Sequence, residues 1–263
     1  MEKFVDRLFA EVDQKWSKTK IRSLIDQGYA RLNGKIHRIA TTPCGGKDRV
    51  ELLFEEKAKD EPKTAKKQMV VVFEDPYVRI YDKPIGVESD VRRYPRLVHR
   101  IDKETSGLLI EAKSDEALVA FEQLFKEKKI EKSYRAIVFG NFQKGVEIDL
   151  PIDRQGRVAG FERFCVSQKG KKAQTSIRPL VHSKHYTLLA CSPKTGRTHQ
   201  IRVHLQAVGY PIVGDLLYSQ SNTRFERMYL HAMTLAFKHP FTAQLVKVQA
   251  QIPPSFDLLL TTD

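Results

Sequence analysis

The residues best suited to chemistry lie in one short polar segment, 97–110, which reads LVHRIDKETSGLLI. In it, Asp102 stands between a basic pair and a Thr-Ser-Gly turn, directly before an apolar run. Loops at the ends of core strands are where a rigid scaffold presents reactive groups. Asp102 is therefore a candidate nucleophile or base. The alternative is a capped turn, in which Asp102 or Thr105 bonds local backbone amides.

A second polar segment, 194–204, reads KTGRTHQIRVH. Arg197 and Arg202 offer planar, forked donors that suit phosphate or carboxylate groups, and Gly196 lets the backbone approach a phosphate closely. The segment is interpreted as an RNA-contacting loop. The alternative is a polar loop that enters a strand with a basic face.

Other catalytic classes lack their motifs. The sequence contains no HExxH, paired CxxC, GxxxxGK[ST] or GxSxG pattern. His199 and His204 are five residues apart, so we expect no metal site from them. An aspartyl-phosphate enzyme stays a weaker alternative, because Asp102-Lys103-Glu104-Thr105 is similar to the phosphorylated aspartates of ATPases and phosphatases.

Charge points to a polyanionic partner. The 263 residues include 45 Lys and Arg against 32 Asp and Glu, a net charge of +13. Clustered basic residues gain affinity by releasing phosphate counterions, so nucleic acid is favoured over an anionic membrane surface. No run of 18 apolar residues predicts a membrane span. Three widely separated cysteines indicate a reducing compartment, and we expect a cytoplasmic protein.

Composition divides the chain into two modules. Residues 55–68, EEKAKDEPKTAKKQ, contain no aliphatic side chain larger than alanine and are predicted to be a linker. They separate a small module at 1–54 from a larger one at 69–263.

The sequence of the larger module predicts many strands with few helices between them. A helix is predicted to open at Ser114. This pattern predicts an α+β fold, with a mixed, mainly antiparallel sheet and flanking helices. The strands are predicted at Met69–Phe73, Val78–Tyr81, Leu108–Ala112, Tyr134–Phe139, Lys172–Leu180, Tyr186–Cys191, Gln200–Leu205 and Leu245–Ala250.

The small module predicts helices followed by a hairpin. A helix fits Thr19–Gln27, with Ser17 as its cap and Gly28 as its stop. Asn33-Gly34 between short alternating runs indicates a two-residue hairpin turn. The stretch around SKTKIRSLIDQGYARLNGK resembles the alpha-L RNA-binding domain, over roughly residues 4–54. The resemblance implies that its basic residues bind RNA, with Lys18, Lys20, Arg22 and Lys35 as candidates.

The larger module resembles the large-subunit-type family of RNA pseudouridine synthases. HRIDKETSGLLI matches the family signature HRLDxxTSGLLL except at Ile101, a conservative change. KSYRAIVFG, TGRTHQIRVHLQAVGYPIVGDLLY and LHAMTLAFKHP follow in the family order. The resemblance covers roughly residues 70–255.

The resemblance implies isomerisation of uridine in RNA to pseudouridine, without cofactor, ATP or catalytic metal. It makes Asp102 the essential aspartate, acting either as a nucleophile at C1′ or as a base for the 2′ proton. It makes Arg202 the partner of Asp102 and places Tyr134 against the target base, as a packing surface and as a candidate for assisting proton transfer at C5. Further contacts to phosphate or base are expected from Arg100, Lys132 and Arg197.

The substrate stays open at this level. Ribosomal RNA is favoured over transfer RNA by family analogy, and a non-catalytic RNA-binding protein is a less favoured alternative. We expect a monomer.

Overall fold

A computed structural model describes residues 2–11, 17–26, 28–53, 68–158, 161–219, 221, 223 and 225–261. The chain forms two compact units. The first comprises Met1–Ala65, Arg154–Phe164 and Gln220–Arg224, and the second comprises Lys66–Asp153, Cys165–Ser219 and Phe225–Asp263. Of the predicted linker, only Gln68 lies within the described residues.

The first unit begins with short elements around a small apolar core. Its described strands include a three-stranded sheet in the order β3-β2-β5 and the short pair β1-β4. The core contains Phe4, Leu8, Ile21 and Ile25, which come from both helices. The elements are β1 (Glu2–Lys3), α1 (Phe4–Glu11), α2 (Lys18–Asp26), β2 (Ala30–Leu32), β3 (Lys35–Ile36), β4 (Pro43–Cys44) and β5 (Val50–Leu52).

Local signals set the ends of α2. The Ser17 hydroxyl accepts a hydrogen bond from the Lys20 amide at 3.2 Å, as an N-cap should. Gly28 ends the helix with a φ of +83°, in the left-handed region that glycine adopts without steric cost. Asn33-Gly34 then forms the turn between β2 and β3, with Leu32 paired to Lys35.

The second unit is built on a nine-stranded sheet in the order β10-β13-β14-β9-β15-β8-β7-β6, with β16 also paired to β15. Only β15 and β8 pair in parallel among these strands, so the sheet is mixed and mainly antiparallel, as predicted. The strands are β6 (Val70–Glu74), β7 (Val78–Lys83), β8 (Ser106–Ala112), β9 (Glu131–Phe139), β10 (Val146–Asp149), β13 (Gln174–His182), β14 (Tyr186–Pro193), β15 (Leu230–Lys238) and β16 (Leu245–Gln249). The hairpin of β11 (Ile152–Val158) and β12 (Phe161–Val166) forms a separate two-stranded sheet.

The nine-stranded sheet forks between β9 and β14. The two strands pair from Phe139 and Tyr186 only as far as Tyr134 and Cys191. Beyond that point Ser192 and Pro193 of β14 remain paired with β13, whereas the first residues of β9 remain paired with β15. The fork opens the sheet beside Tyr134.

Three helices pack in this unit: α3 (Asp115–Lys126), α4 (Gln200–Ala207) and α5 (Pro254–Thr261). The predicted start of α3 is confirmed, because the Ser114 hydroxyl accepts a hydrogen bond from the Ala117 amide at 3.1 Å. Phe121 of α3 is fully buried in the core with β7, β8 and β15.

The predicted strand at Gln200–Leu205 is wrong, because these residues form α4. Its β-branched residues favour a strand, yet Ile201, Leu205 and Val208 lie four and three residues apart and bury one helical face. Among the described residues of the larger module, five elements have no counterpart among the predicted ones, namely β10, β11, β12, β15 and α5.

Candidate active site

Asp102 lies in the loop between β7 and β8, and buried hydrogen bonds brace this loop. The Lys83 ammonium, which is fully buried, donates to the carbonyls of Val87 at 2.7 Å and Lys103 at 3.3 Å. The Ser89 hydroxyl donates to the Ile101 carbonyl at 3.0 Å. The backbone on one side of Asp102 is therefore held by Lys83 of β7, and the backbone on the other side by Ser89 of the same loop.

The glycine of the Thr-Ser-Gly turn has a steric reason. Gly107 has a φ of +106°, and a Cβ added there would clash with the Ala232 backbone. This position is where β8 meets β15 in parallel register, with His231 opposite Ser106. Glycine thus lets the strand after Asp102 approach the centre of the sheet.

A buried network positions the start of α4. The Gln200 amide group donates to the Gln174 carbonyl and the Thr175 hydroxyl, both at 2.9 Å, and its oxygen accepts from Thr195 at 2.6 Å. These bonds join the polar loop before α4 to β13. The loop that carries Arg197 is therefore anchored to β13.

Arg202 projects from α4 and bridges two carboxylates. Its Nε and Nη2 donate to the two oxygens of Asp215 at 2.8 and 2.9 Å, and its Nη1 donates to Asp102 Oδ2 at 3.0 Å. Arg202 is 2% exposed, and the side chain of Asp215 is fully buried. Such a two-point contact fixes the plane of the guanidinium. The third nitrogen, Nη1, is left directed at Asp102.

These contacts favour the charged forms of Arg202 and Asp215. Burial alone would raise the pKa of Asp215, but the Arg202 guanidinium and the amides of Leu217 and Tyr218 hold it below its usual value. Burial likewise opposes the charge of Arg202, whereas Asp215 and Asp102 raise the pKa of Arg202. The carboxylate of Asp102 thus faces a permanent positive charge.

Asp102 keeps one oxygen open. No described residue donates a hydrogen bond to its Oδ1, and its side chain is 22% exposed. The capped-turn alternative does not describe this geometry, because the carboxylate bonds Arg202 and the turn is closed by the Asp102 carbonyl with the Thr105 amide.

Tyr134 lies on β9 beside the fork. Its ring packs against two apolar clusters of this unit. No described residue bonds its hydroxyl. Burial and the charge of Asp102 raise the pKa of Tyr134, so the phenol stays protonated at neutral pH.

His199 and Tyr218 complete the surroundings of the bridge. His199 Nδ1 lies 2.9 Å from the Tyr218 hydroxyl, and its Nε2 lies 3.8 Å from Asp102 Oδ2. Burial and the nearby charge of Arg202 lower the pKa of His199. The ring of Tyr218 in turn lies 5.1 Å from the Arg202 guanidinium carbon.

Asp102, Tyr134, His199 and Arg202 are among the residues that line a cavity of about 280 Å³. Of the residues predicted from the sequence to act in the larger module, the cavity brings together six: Arg100, Asp102, Lys132, Tyr134, Arg197 and Arg202. Lys132 is largely buried, which lowers its pKa, and its ammonium lies 5.4 Å from the centre of the Phe125 ring.

The four basic candidates of the small module lie in the first unit. Lys18, Lys20 and Arg22 are exposed on α2, and Lys35 is exposed on β3. Lys18 forms an ion pair with Asp6 at 3.0 Å. Within the described ranges, no three His, Cys, Asp or Glu side chains cluster as metal ligands. No described helix is long and apolar enough to cross a membrane.

Sequence reasoning missed Asp215. It lies within the block YPIVGDLLY, where an acidic residue between apolar neighbours resembles a turn residue. Its burial next to Arg202 depends on how α4 packs against the segment after it.

Comparisons with known proteins match the same region. The sequence model of the family described as RNA pseudouridylate synthase matches residues 66–207. The chain is 29% identical over 288 residues to Ribosomal large subunit pseudouridine synthase D of Nitrosomonas europaea, which covers 97% of this chain and 83% of that protein. It is 34% identical over 209 residues to Ribosomal large subunit pseudouridine synthase C of Escherichia coli strain K12, covering 69% and 66%.

A solved structure shares the fold. Human RNA Pseudouridylate Synthase Domain Containing 1 superposes with a TM-score of 0.62 at 28% identity, over 73% of this chain and 87% of that one. The region matched by the family model contains Asp102, Tyr134 and Arg202.

Proposed function

Because the chain belongs to the RNA pseudouridylate synthase family, we propose that it isomerises uridines of large-subunit ribosomal RNA to pseudouridine. The choice of RNA follows the relatives, whose names place their activity on the ribosomal large subunit. The observation that carries the proposal is the convergence of Asp102, Arg202 and Tyr134 on one cavity.

The reaction moves a base without net loss of atoms. The bond from N1 of uracil to C1′ of ribose breaks, and a bond from C5 to C1′ forms. C5 loses a proton and N1 gains one. Asp102 Oδ1 is available to attack C1′ or to remove the 2′ proton, and the two routes stay open. Either route requires an ionised carboxylate, and Arg202 Nη1 donates a hydrogen bond to Oδ2 of that carboxylate while leaving Oδ1 open.

Tyr134 acts as the surface against which the base packs and turns. Its raised pKa makes its phenol a poor base at neutral pH, so its ring is the part that matters. A cavity of about 280 Å³ suits a single base, and a uridine in folded RNA must leave its stack to enter it.

The first unit is proposed to grip structured RNA as an alpha-L RNA-binding domain. Residues 1–54, 55–68 and 69–263 would then serve as binding module, linker and catalytic domain. Exposed Lys20, Arg22 and Lys35 support this proposal by their charge. We also propose that the enzyme acts as a monomer in the cytoplasm.

Mapping pseudouridines in total RNA tests the assignment. RNA from cells with and without the gene should differ at one or a few positions of large-subunit ribosomal RNA, and the gene should restore them. If the difference lies in transfer RNA instead, transfer RNA replaces ribosomal RNA as the proposed substrate. No difference in any RNA would contradict the function. The purified enzyme should work in EDTA, unlike an aspartyl-phosphate enzyme.

A further inference from the structure

A second, larger cavity lies in the fork of the sheet. It measures about 1040 Å³ and is lined from both branches, by Gln174 and Ser192 on one side and by Ser133, Thr234 and Gln249 on the other. We name this cavity the fork groove. It shares a wall with the candidate active site, formed by Phe125, Lys132, Pro193, Thr195, Gly196 and Arg197.

The lining of the fork groove is strongly basic. Its one acidic side chain among the described residues is Glu131, against seven basic ones, namely Lys126, Lys128, Lys132, Arg135, Lys194, Arg197 and Lys247. Four of these are exposed and hold no ion pair with a described residue, namely Lys126, Lys128, Arg197 and Lys247. Arg197 belongs to the wall shared with the active site, and its Nε donates to the Lys172 carbonyl at 3.0 Å, so the three lysines are the exposed charges specific to the fork groove. By contrast, nearby Lys129 pairs with Glu127 at 2.6 Å.

We propose that the fork groove binds the single-stranded RNA backbone next to the target uridine, with Lys126, Lys128 and Lys247 contacting its phosphates. The inference rests on the proposed function. A nucleotide in the active site is covalently joined to its neighbours in the RNA, so the RNA chain must continue from the site along a surface that adjoins it. Basic grooves that track a backbone are typical of single-strand binding.

The size of the fork groove suits a short single strand, since its volume of about 1040 Å³ is a few times the volume of the candidate active site, which suits one base. On this basis we take the bound RNA to be single-stranded. The nucleotides on that side of the target are therefore unpaired when bound. Substrate selection follows: uridines in loops or at helix ends are accepted, and uridines flanked by duplex on that side are rejected.

The test variant replaces all three lysines, Lys126→Gln, Lys128→Gln and Lys247→Gln. A matched control replaces three exposed lysines of the same unit outside the groove, Lys144, Lys184 and Lys238, also by Gln, with the same change in net charge. A third variant changes the groove lysines to Arg and keeps the charge. Melting temperatures verify that all three variants are folded.

Binding is measured with a labelled ten-nucleotide single-stranded RNA and with the same sequence as a duplex, across salt concentrations. If each lysine neutralises one phosphate, the Gln variant loses about 2 from the log–log salt slope, or on the order of 100-fold in affinity at 0.1 M salt. The control and the Arg variant keep single-strand affinity, and duplex binding is equal in all variants.

Activity on ribosomal RNA from cells lacking the gene separates the two proposals. If the unchanged enzyme forms no pseudouridine in this ribosomal RNA, the proposed function is contradicted, and this inference with it. An active enzyme whose Gln variant binds single strands as the control does would overturn the inference alone. Competition also tests the inference. If polyglutamate of matched charge displaces the labelled single strand as well as unlabelled RNA does, the inference is overturned, because the groove then binds an acidic peptide and RNA equally well.

Discussion

Arg202 reaches Asp102 across 100 residues of sequence, with its Nη1 3.0 Å from Asp102 Oδ2. The other edge of its guanidinium is held by Asp215, so its position does not depend on Asp102. A charge prepared in this way needs no rearrangement when substrate arrives, which is how fixed electrostatics contribute most to catalysis.

Asp102→Asn should abolish pseudouridine formation while RNA affinity stays within a few-fold of the unchanged enzyme. The amide can neither attack C1′ nor remove a proton, but the basic surface is untouched. Single-turnover assays with a binding titration provide the measurement. Turnover above a no-enzyme control would refute the assignment of Asp102.

Arg202→Met should remove activity and lower the unfolding free energy by roughly 3–5 kcal/mol, because a buried carboxylate loses its partner. Adding Asp215→Asn should recover part of that stability, since the uncompensated charge is gone, without restoring activity. Urea unfolding and rate measurements on both variants separate the two effects. An active, fully stable Arg202→Met protein would mean that the bridge has no role.

Tyr134→Phe should keep more activity than Tyr134→Ala. If the ring only supports the base, loss of the hydroxyl costs less than the factor of about 100 expected for a general acid or base. Rates at saturating RNA compare the two variants. A Phe variant as inactive as Asp102→Asn would show that the hydroxyl takes part in the chemistry.

Lys83 should make stability depend on pH. Burial lowers its pKa to about 8 in the folded protein, against about 10.4 in an unfolded chain. Between these values the unfolded chain binds more protons, so the unfolding free energy should rise with pH, by at most about 1.4 kcal/mol per pH unit. Urea unfolding of the unchanged protein and Lys83→Met across pH 8–10 isolates this contribution. A pH-independent difference between them would contradict the shift.

Deletion of residues 1–67 should leave a folded catalytic domain with weaker RNA binding. The deleted part carries 16 Lys and Arg against 11 Asp and Glu, a net charge of +5. RNA affinity should fall and depend less steeply on salt. The single-turnover rate on a saturating RNA fragment should survive, because Asp102, Tyr134 and Arg202 lie beyond the cut. An unchanged salt slope would show that the module does not grip RNA.

Local signals in the sequence were sufficient for several elements. Ser114 with two following acidic residues opens α3, and Asn33-Gly34 turns the hairpin, because caps and tight turns are decided within a few residues. The candidate residues Asp102, Tyr134 and Arg202 were also identified from the sequence, through motifs that resemble a known family.

Tertiary structure decided the rest. Gln200–Leu205 carries β-branched residues typical of a strand, yet forms α4 because a helix buries Ile201 and Leu205 against the sheet. The bridge from Asp102 through Arg202 to Asp215, and the fork that separates β9 from β14, depend on contacts between segments far apart in the chain. Local propensity contains no information about such contacts, because they exist only once distant segments have packed together.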